Sequence, residues 1–464
     1  MTPMMTLVQA AEMIPGAQLT GAANLSVNRV HTDTRTIEPG DLFVALKGER
    51  YDANQFLAEA QERGAVGVVC HKGSDPQSYP PSLPRIEVDD TKAALGLLAK
   101  HWRAQFDLPL IAVTGSNGKT TVTQMIASIL QAFAPGGDAL ATQGNLNNDI
   151  GVPLTLLRLR RHHRIAVVEL GMNHPGEIAV LAAMVQPTVA LVNNAQREHL
   201  EFMHTVEAVA RENGAVISAL ATNGIAVFPA DDAFTNLWAL LSGERGKVTF
   251  SAEGGAELKC LEAHWSRGAW AVRAQHQTGE LTFRLAIAGR HNVKNALAAA
   301  ACAMAAGVPV NAVVNGLESF VPVKGRSRAM TIQVGTRECA LVDDTYNANP
   351  DSVRAAINVL AELPKPQLLV LGDMGEVGNQ GPSFHAEAGS YAHAKGIDRL
   401  FVIGMQSRVA AEHFAGAQHF ESMESLADAV NREIPGAGSV LVKGSRFMRM
   451  ERVVESVVGA YPCC

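Results

Sequence analysis

Short apolar runs that end at glycine alternate, along most of this chain, with stretches in which apolar residues recur every three or four positions. The runs at 110–113, 165–168 and 188–192 are apolar on both faces and rich in β-branched residues, as strands buried in a parallel sheet are. Directly behind the first, Val122, Met125, Ile126, Ile129, Leu130 and Phe133 fall on one face of a helix that would lie on that sheet. The runs at 367–372, 400–404 and 439–444 repeat the rhythm and end at Gly372, Gly404 and Gly444, where strands of an open α/β sheet hand over to ligand-facing loops. Upstream, 41–46 and 64–70 read as strands and 76–84 as a surface loop, while 205–220 reads as helix. The alternation predicts an α/β protein with mostly parallel sheets, and no solenoid period is present. The blocks divide at 1–98, 99–327 and 328–464.

Composition supports several domains and narrows the function classes. A chain of 464 residues is too long for one core. A hydrophobic fraction of 47% with 18% charged residues is that of a globular protein, and a net charge of −6 without a basic stripe argues against a nucleic-acid surface. The longest apolar run, 296–310, is alanine-rich and shorter than the roughly 20 residues that span a bilayer, so it reads as a buried helix and no membrane insertion is expected. The first 20 residues carry neither the basic nor the apolar region of a secretion signal, which makes the cytoplasm the expected location. Cys70, Cys260, Cys302, Cys339, Cys463 and Cys464 show no C-x-x-C pair and no zinc spacing, and reduced thiols are expected.

The chemistry begins at Thr114-Gly115-Ser116-Asn117-Gly118-Lys119-Thr120-Thr121, between the first strand and its helix. Glycines let backbone N–H groups approach a polyphosphate, and the helix N-terminus adds positive potential. Lys119 would neutralise the β- and γ-phosphates and the Thr120 hydroxyl would meet Mg²⁺. The general phosphate loop has glycine where this chain has Val113. Glu169 ends the next buried strand, where a Mg²⁺ ligand would stand, although a lone glutamate there also reads as a surface or capping residue. His199, past the third strand, reads as a second metal ligand or as a structural histidine. Asn145 and Asn148, in the Asn-rich segment 144–153, are either turn formers or amide donors to an anionic substrate. Asn292 and Asn295 share a helix face beside His291, where two amides and an imidazole would meet adenine, with N-capping the bland reading for Asn292. Arg326, at a domain junction, would clamp the γ-phosphate.

Taken together, these segments resemble the Mur ligases, the ATP-dependent amide-forming enzymes of peptidoglycan precursor assembly. The resemblance also rests on His31-Thr32-Asp33-Thr34-Arg35, Phe43-Val44-Ala45-Leu46-Lys47-Gly48, the segments 343–350 and 371–378, and Lys443-Gly444-Ser445-Arg446, and it runs the length of the chain in order. It implies an N-terminal UDP-substrate domain, a central P-loop ATPase and a C-terminal Rossmann-like domain. It implies that ATP and Mg²⁺ are used to join D-Ala-D-Ala to UDP-MurNAc-tripeptide through an acyl phosphate, by a protein expected to be a monomer. By motif, Asp33, Thr34, Arg35, Lys47 and Gly48 would meet the UDP end, and Gly115 to Thr121 the ATP phosphates. Thr120, Glu169 and His199 would hold metal, while Arg326, Asp344 and Asn347 would close on ATP. The family's lysine carbamate falls at Asn213, which has no amine to carboxylate, and the residue also reads as a turn former before Gly214. A folylpolyglutamate synthase-like ligase, and a P-loop switch or motor ATPase, share the phosphate loop. The N-terminal module argues against the first, and a requirement for both substrates would exclude the second.

Overall fold

The computed structural model describes residues 3–48, 51–73, 80, 82–266 and 268–462, so Cys463, Cys464 and part of the predicted loop 76–84 lie outside the described residues. Among the described residues three large sheets organise the chain, beside a two-stranded pair of Met5–Thr6 and Ser26–Val27. In the first, Gln18–Thr20, Arg85–Val88, Gly67–His71, Asp41–Val44 and Arg29–His31 lie side by side, parallel except for the outer pair Gln18–Thr20 and Arg85–Val88.

The helix Thr91–Arg103 runs across the expected division at residue 98. Asp90 starts it by accepting from the N–H groups of Lys92 and Ala93. Its apolar face then joins two sheets into one core, which continues from Leu42 and Val69 through Leu95, Leu98 and Trp102 to Ala112 and Ala166. Polar bonds fix the same helix to the central domain. Trp102 donates to the carbonyl of Leu159 at 3.2 Å and Arg103 Nε to that of Val185 at 3.0 Å. No composition change marks a boundary there because there is no break in the packing.

The central sheet has nine strands. Leu110–Thr114 lies between Ile165–Glu169 and Val189–Val192, all parallel, so the chain leaves the middle strand first to one side and then to the other. That reversal opens a crevice at the strands' carboxyl ends, the usual ligand position of such sheets. At the far side Leu258–Ser266, Ala269–His276 and Gly279–Leu285 form an antiparallel meander that the strand–helix rhythm does not foretell. The alanine-rich helix is His291–Ala305, buried as expected but begun and ended five residues earlier, because Gly307 turns with φ +84° and the next helix, Val310–Glu318, begins. The latter packs so closely on Lys119–Phe133 that a Cβ at Gly316 would stand 2.3 Å from Ile129 Cα.

The C-terminal sheet runs Arg328–Val334, Arg337–Asp344, Ser439–Lys443, Gln367–Gly372, Arg399–Ile403 and Gln418–Phe420. Only its first pair is antiparallel, as a Rossmann-like sheet with an appended edge strand requires. Among the described residues no helix is long and apolar enough to cross a membrane, and no disulfide forms.

Candidate active site

The phosphate loop hangs from Leu110–Thr114, third strand from one edge of the central sheet, and is braced by neighbouring segments. Gly115 N–H donates to Asn213 Oδ1 at 3.0 Å, Ser116 N–H to the carbonyl of Asn194 at 3.1 Å, and Asn117 N–H to Asn194 Oδ1 at 2.9 Å. Gly118, the residue before the helix Lys119–Phe133, has φ +82°, and a Cβ there would meet Asn295 Oδ1 at 2.7 Å. Both backbone and space therefore require glycine. Lys119 Nζ lies over the loop, donating to the carbonyls of Gly115 (2.7 Å) and Ser116 (3.0 Å) and to Glu198 Oε1 (2.9 Å).

Asn213 is not in a turn. It sits mid-helix in Val206–Ser218, buried beneath the loop, and it does not line the cleft. The expectation of a turn before Gly214 fails because the helix's apolar face, Val209, Ala210, Val216 and Ile217, outweighs the local Asn-Gly preference.

Beside the loop, Glu169 Oε1 accepts from Thr120 Oγ1 at 3.0 Å and from Asn147 Nδ2 at 2.7 Å. Its Oε2 is buried with no partner. A hydroxyl and a buried carboxylate with an orphan oxygen form a donor set suited to a hard divalent cation. Among the described residues no three His, Cys, Asp or Glu groups stand close enough to enclose a metal unaided. Phosphate oxygens and water would complete the shell, as Mg²⁺ prefers. His199, with φ +50°, holds its ring between Glu198 Oε1 (3.5 Å) and Glu376 Oε2 of the C-terminal domain (2.8 Å). Burial works against its charge, but the hydrogen bonds and charges of the two glutamates outweigh that and lift its pKa to about 9.

The opposite wall comes from the C-terminal domain. Lys443, almost fully buried at the end of its strand, donates to Asp344 Oδ2 at 2.6 Å and to the carbonyl of Asn347 at 2.9 Å. Asp344 Oδ1 accepts from Ser327 N–H at 2.9 Å, which positions Arg326, whose guanidinium lies 4.0 Å from the centre of the Tyr346 ring. Asn349 Nδ2 reaches across to Asn117 Oδ1 at 2.9 Å. Arg197 makes a second bridge between domains, pairing with Asp351 at 2.7 Å and Glu387 at 2.7 Å.

These walls enclose a cleft of about 1220 Å³. It collects Ser116 to Thr121, Asn145, Asn148, Glu169, His199, His291, Asn292, Asn295, Arg326, Asp344 and Asn347 from the sequence-based set. It does not include Asp33, Thr34, Arg35, Lys47 or Gly48, which lie in the N-terminal domain, where exposed Arg35 pairs with Asp33 at 2.7 Å. Asn148 is also a structural residue, since its Oδ1 accepts from Gly151 N–H at 2.9 Å. Asn292 and Asn295 are not two free amides. Asn295 Nδ2 donates to Asn292 Oδ1 (2.8 Å), Asn292 Nδ2 to the carbonyl of Ala288 (2.6 Å), and Asn295 Oδ1 accepts from Asn193 (3.0 Å). Through Asn193, whose amide also donates to the carbonyl of Asn117 at 2.8 Å, they are tied to the loop beside Gly118.

Sequence reasoning missed Glu198, Glu376 and Lys443 as site residues, while Asn147 was seen only as one of the three asparagines of 144–153. Lys443 carried a usable signal, a charged residue closing a buried strand as Glu169 does.

The chain matches three family models in succession: the Mur ligase family catalytic domain at 26–103, the Mur ligase middle domain at 113–303, and the Mur ligase glutamate ligase domain at 328–446. It is 40% identical to the UDP-N-acetylmuramoyl-tripeptide–D-alanyl-D-alanine ligase of Escherichia coli (strain K12), covering 97% of this chain and 98% of that one. To the ligase of the same name from Haemophilus influenzae it is 39% identical, over 99% of both chains. A crystal structure of MurF from Acinetobacter baumannii superposes with a TM-score of 0.90 at 33% identity, covering 99% of this chain and 100% of that one. MurF ligase from Thermotoga maritima in complex with ADP gives 0.80 at 26% identity, over 92% and 96%.

Proposed function

The chain belongs to the Mur ligase family, and from that premise we propose that its cleft joins D-alanyl-D-alanine to UDP-MurNAc-tripeptide at the expense of ATP. The product is the UDP-MurNAc-pentapeptide precursor of peptidoglycan. One observation carries the reading: the phosphate-loop lysine and an orphaned carboxylate oxygen on Glu169 face Arg326, Asp344 and Lys443 of a second domain across one cleft. A switch ATPase needs only the first half of that arrangement.

A free carboxylate is a poor electrophile, so the tripeptide's terminal carboxylate attacks the γ-phosphorus of ATP, and ADP leaves as the acyl phosphate forms. The amine of D-Ala-D-Ala then adds to the acyl carbon, and phosphate departs from the tetrahedral intermediate. Lys119 and Arg326 offset charge on the phosphoryl group in transfer. Thr120 and Glu169 are the residues that would hold Mg²⁺, and His199 would join them only on giving up the proton it shares with Glu198 and Glu376. The bound ion would supply further charge neutralisation at the phosphates. The base lies toward His291, with Asn292 and Asn295 shaping that end, and Asn347 and Asp344 close over the nucleotide. Asn145 and Asn148 line the approach of the acyl substrate. We take the enzyme to act as a monomer in the cytoplasm.

The test is ATP turnover with UDP-MurNAc-tripeptide, with and without D-Ala-D-Ala, the pentapeptide product being identified by mass. Product requires both substrates, and phosphate release without either would refute the reading. The same assay in carbonate-depleted buffer gives an unchanged rate, because Asn213 has no amine to form a carbamate. Rescue by added bicarbonate would show that some lysine does so.

Asp33, Thr34, Arg35, Lys47 and Gly48 stand apart from the cleft, so they serve the uridine end. Arg35→Ala or Lys47→Ala raises KM for the UDP-substrate and leaves KM for ATP unchanged. Equal effects on both would remove the N-terminal domain from that role.

A further inference from the structure

The segment 193–198 forms a layer behind the phosphate loop. Asn194 Oδ1 accepts from Asn117 N–H, Gln196 Oε1 accepts from Asn117 Nδ2 at 2.6 Å, and Gln196 N–H donates to Ser116 Oγ at 2.9 Å. Glu198 accepts from Lys119. Arg197 breaks this series. Its neighbours on both sides hold the loop, while its own backbone N–H and its side chain turn to the C-terminal domain.

Two helices of that domain receive it. Asp351, in the first turn of Pro350–Ala361, accepts from Arg197 N–H at 2.8 Å and from the guanidinium on both carboxylate oxygens. Glu387, in Gly381–Ala394, takes the other edge of the guanidinium at 2.7 and 3.1 Å and accepts from Arg354 at 2.9 Å. Contacts of this forked kind fix orientation as well as charge. The Arg197 and Asp351 side chains are each 24% exposed, and the centre of the Phe384 ring lies 5.3 Å from the guanidinium, so water screens the cluster only in part. Arg197 itself does not line the cleft. A bond at its backbone N–H nevertheless constrains Gln196 and Glu198 through the chain. With the C-terminal domain undocked, the segment is held from the phosphate-loop side alone.

We propose that Arg197 is a positioning residue that ties the geometry of the phosphate loop to the docking of the C-terminal domain, acting through Gln196 on Asn117 and through Glu198 on Lys119. The inference rests on the ligase reading above. Phosphoryl transfer then runs at full rate only while Asp351 and Glu387 hold the guanidinium.

The test reads both domains. Amide hydrogen exchange of the full chain compares wild type with Arg197→Met and, on the other domain, Asp351→Ala. Each variant exchanges about tenfold faster in the peptide spanning 115–121, and either one alone decides this point if the other misfolds. The kcat for pentapeptide formation falls about tenfold in Arg197→Met, while KM for the UDP-substrate stays within about twofold of wild type. Arg197→Lys, which keeps the charge and loses the fork, recovers part of the rate. The double variant Arg197→Met/Asp351→Ala is far less impaired than the product of the two single effects, because one interaction is lost only once. Unchanged exchange at 115–121 in the folded variants, or single effects that multiply in the double variant, would overturn the proposal. A wild type that makes no product would instead refute the ligase reading, and the exchange comparison would still decide the coupling.

Discussion

Lys119→Ala abolishes ligation in a chain that still folds. In the proposed mechanism Lys119 is the cation that the phosphate loop delivers to the transferring group, and losing one such transition-state contact costs on the order of 10²–10³ in rate or more. Stability suffers less. The methylene stem ends in the cleft, and Glu198, deprived of its partner, has His199 Nε2 within 3.5 Å. Pentapeptide formation falls to background while the thermal transition is retained. Near-normal turnover in a folded variant would take the phosphate loop out of the mechanism.

The largest effect on stability belongs to Lys443→Met. The Lys443 and Asp344 side chains are only 3% and 16% exposed and meet at 2.6 Å. Removing one member of a buried pair leaves the other charge uncompensated, at a cost of about 3–5 kcal/mol. The carbonyl of Asn347 loses its donor as well, in the segment proposed to close on the nucleotide. Urea unfolding of the C-terminal domain measures the loss. The double variant Lys443→Met/Asp344→Asn recovers most of it, since no buried charge is then left unpaired. If the single and double variants are equally destabilised, the pair has no stabilising role and packing alone accounts for the effect.

The parts legible in the sequence are those whose signal is local. The loop from Gly115 to Thr121 announces itself by glycine spacing, and the Lys119–Phe133 helix by six apolar positions that all fall toward the sheet. Glu169 is legible because packing alone seldom puts a carboxylate at the end of a buried apolar run. His199 and Arg326 needed the company of the other motifs. What was not legible depends on distant segments meeting. Asn213 looked like a turn residue beside Gly214 and is instead a brace inside a helix, because tertiary packing overrides local preference. Glu198 and Glu376 acquire meaning only when Lys119 and His199 arrive beside them from elsewhere in the chain. The amide pair Asn292 and Asn295 had the right spacing, but that spacing serves the loop as much as any ligand.

The helix Thr91–Arg103 welds the N-terminal sheet to the central one through a continuous core. If the N-terminal domain holds the uridine end as proposed, the stretch from there to the phosphate loop is a fixed length. With the sugar nucleotide held at that end, the protein would act as a ruler. Each residue added to or taken from an extended peptide moves its terminal carboxylate by about 3.5 Å. Reaction demands an approach of about 3–3.5 Å, so a precursor one residue short fails to touch the phosphate and one residue long overshoots it. The order in which amino acids join the stem would then be enforced partly by measurement, before any pocket reads a side chain.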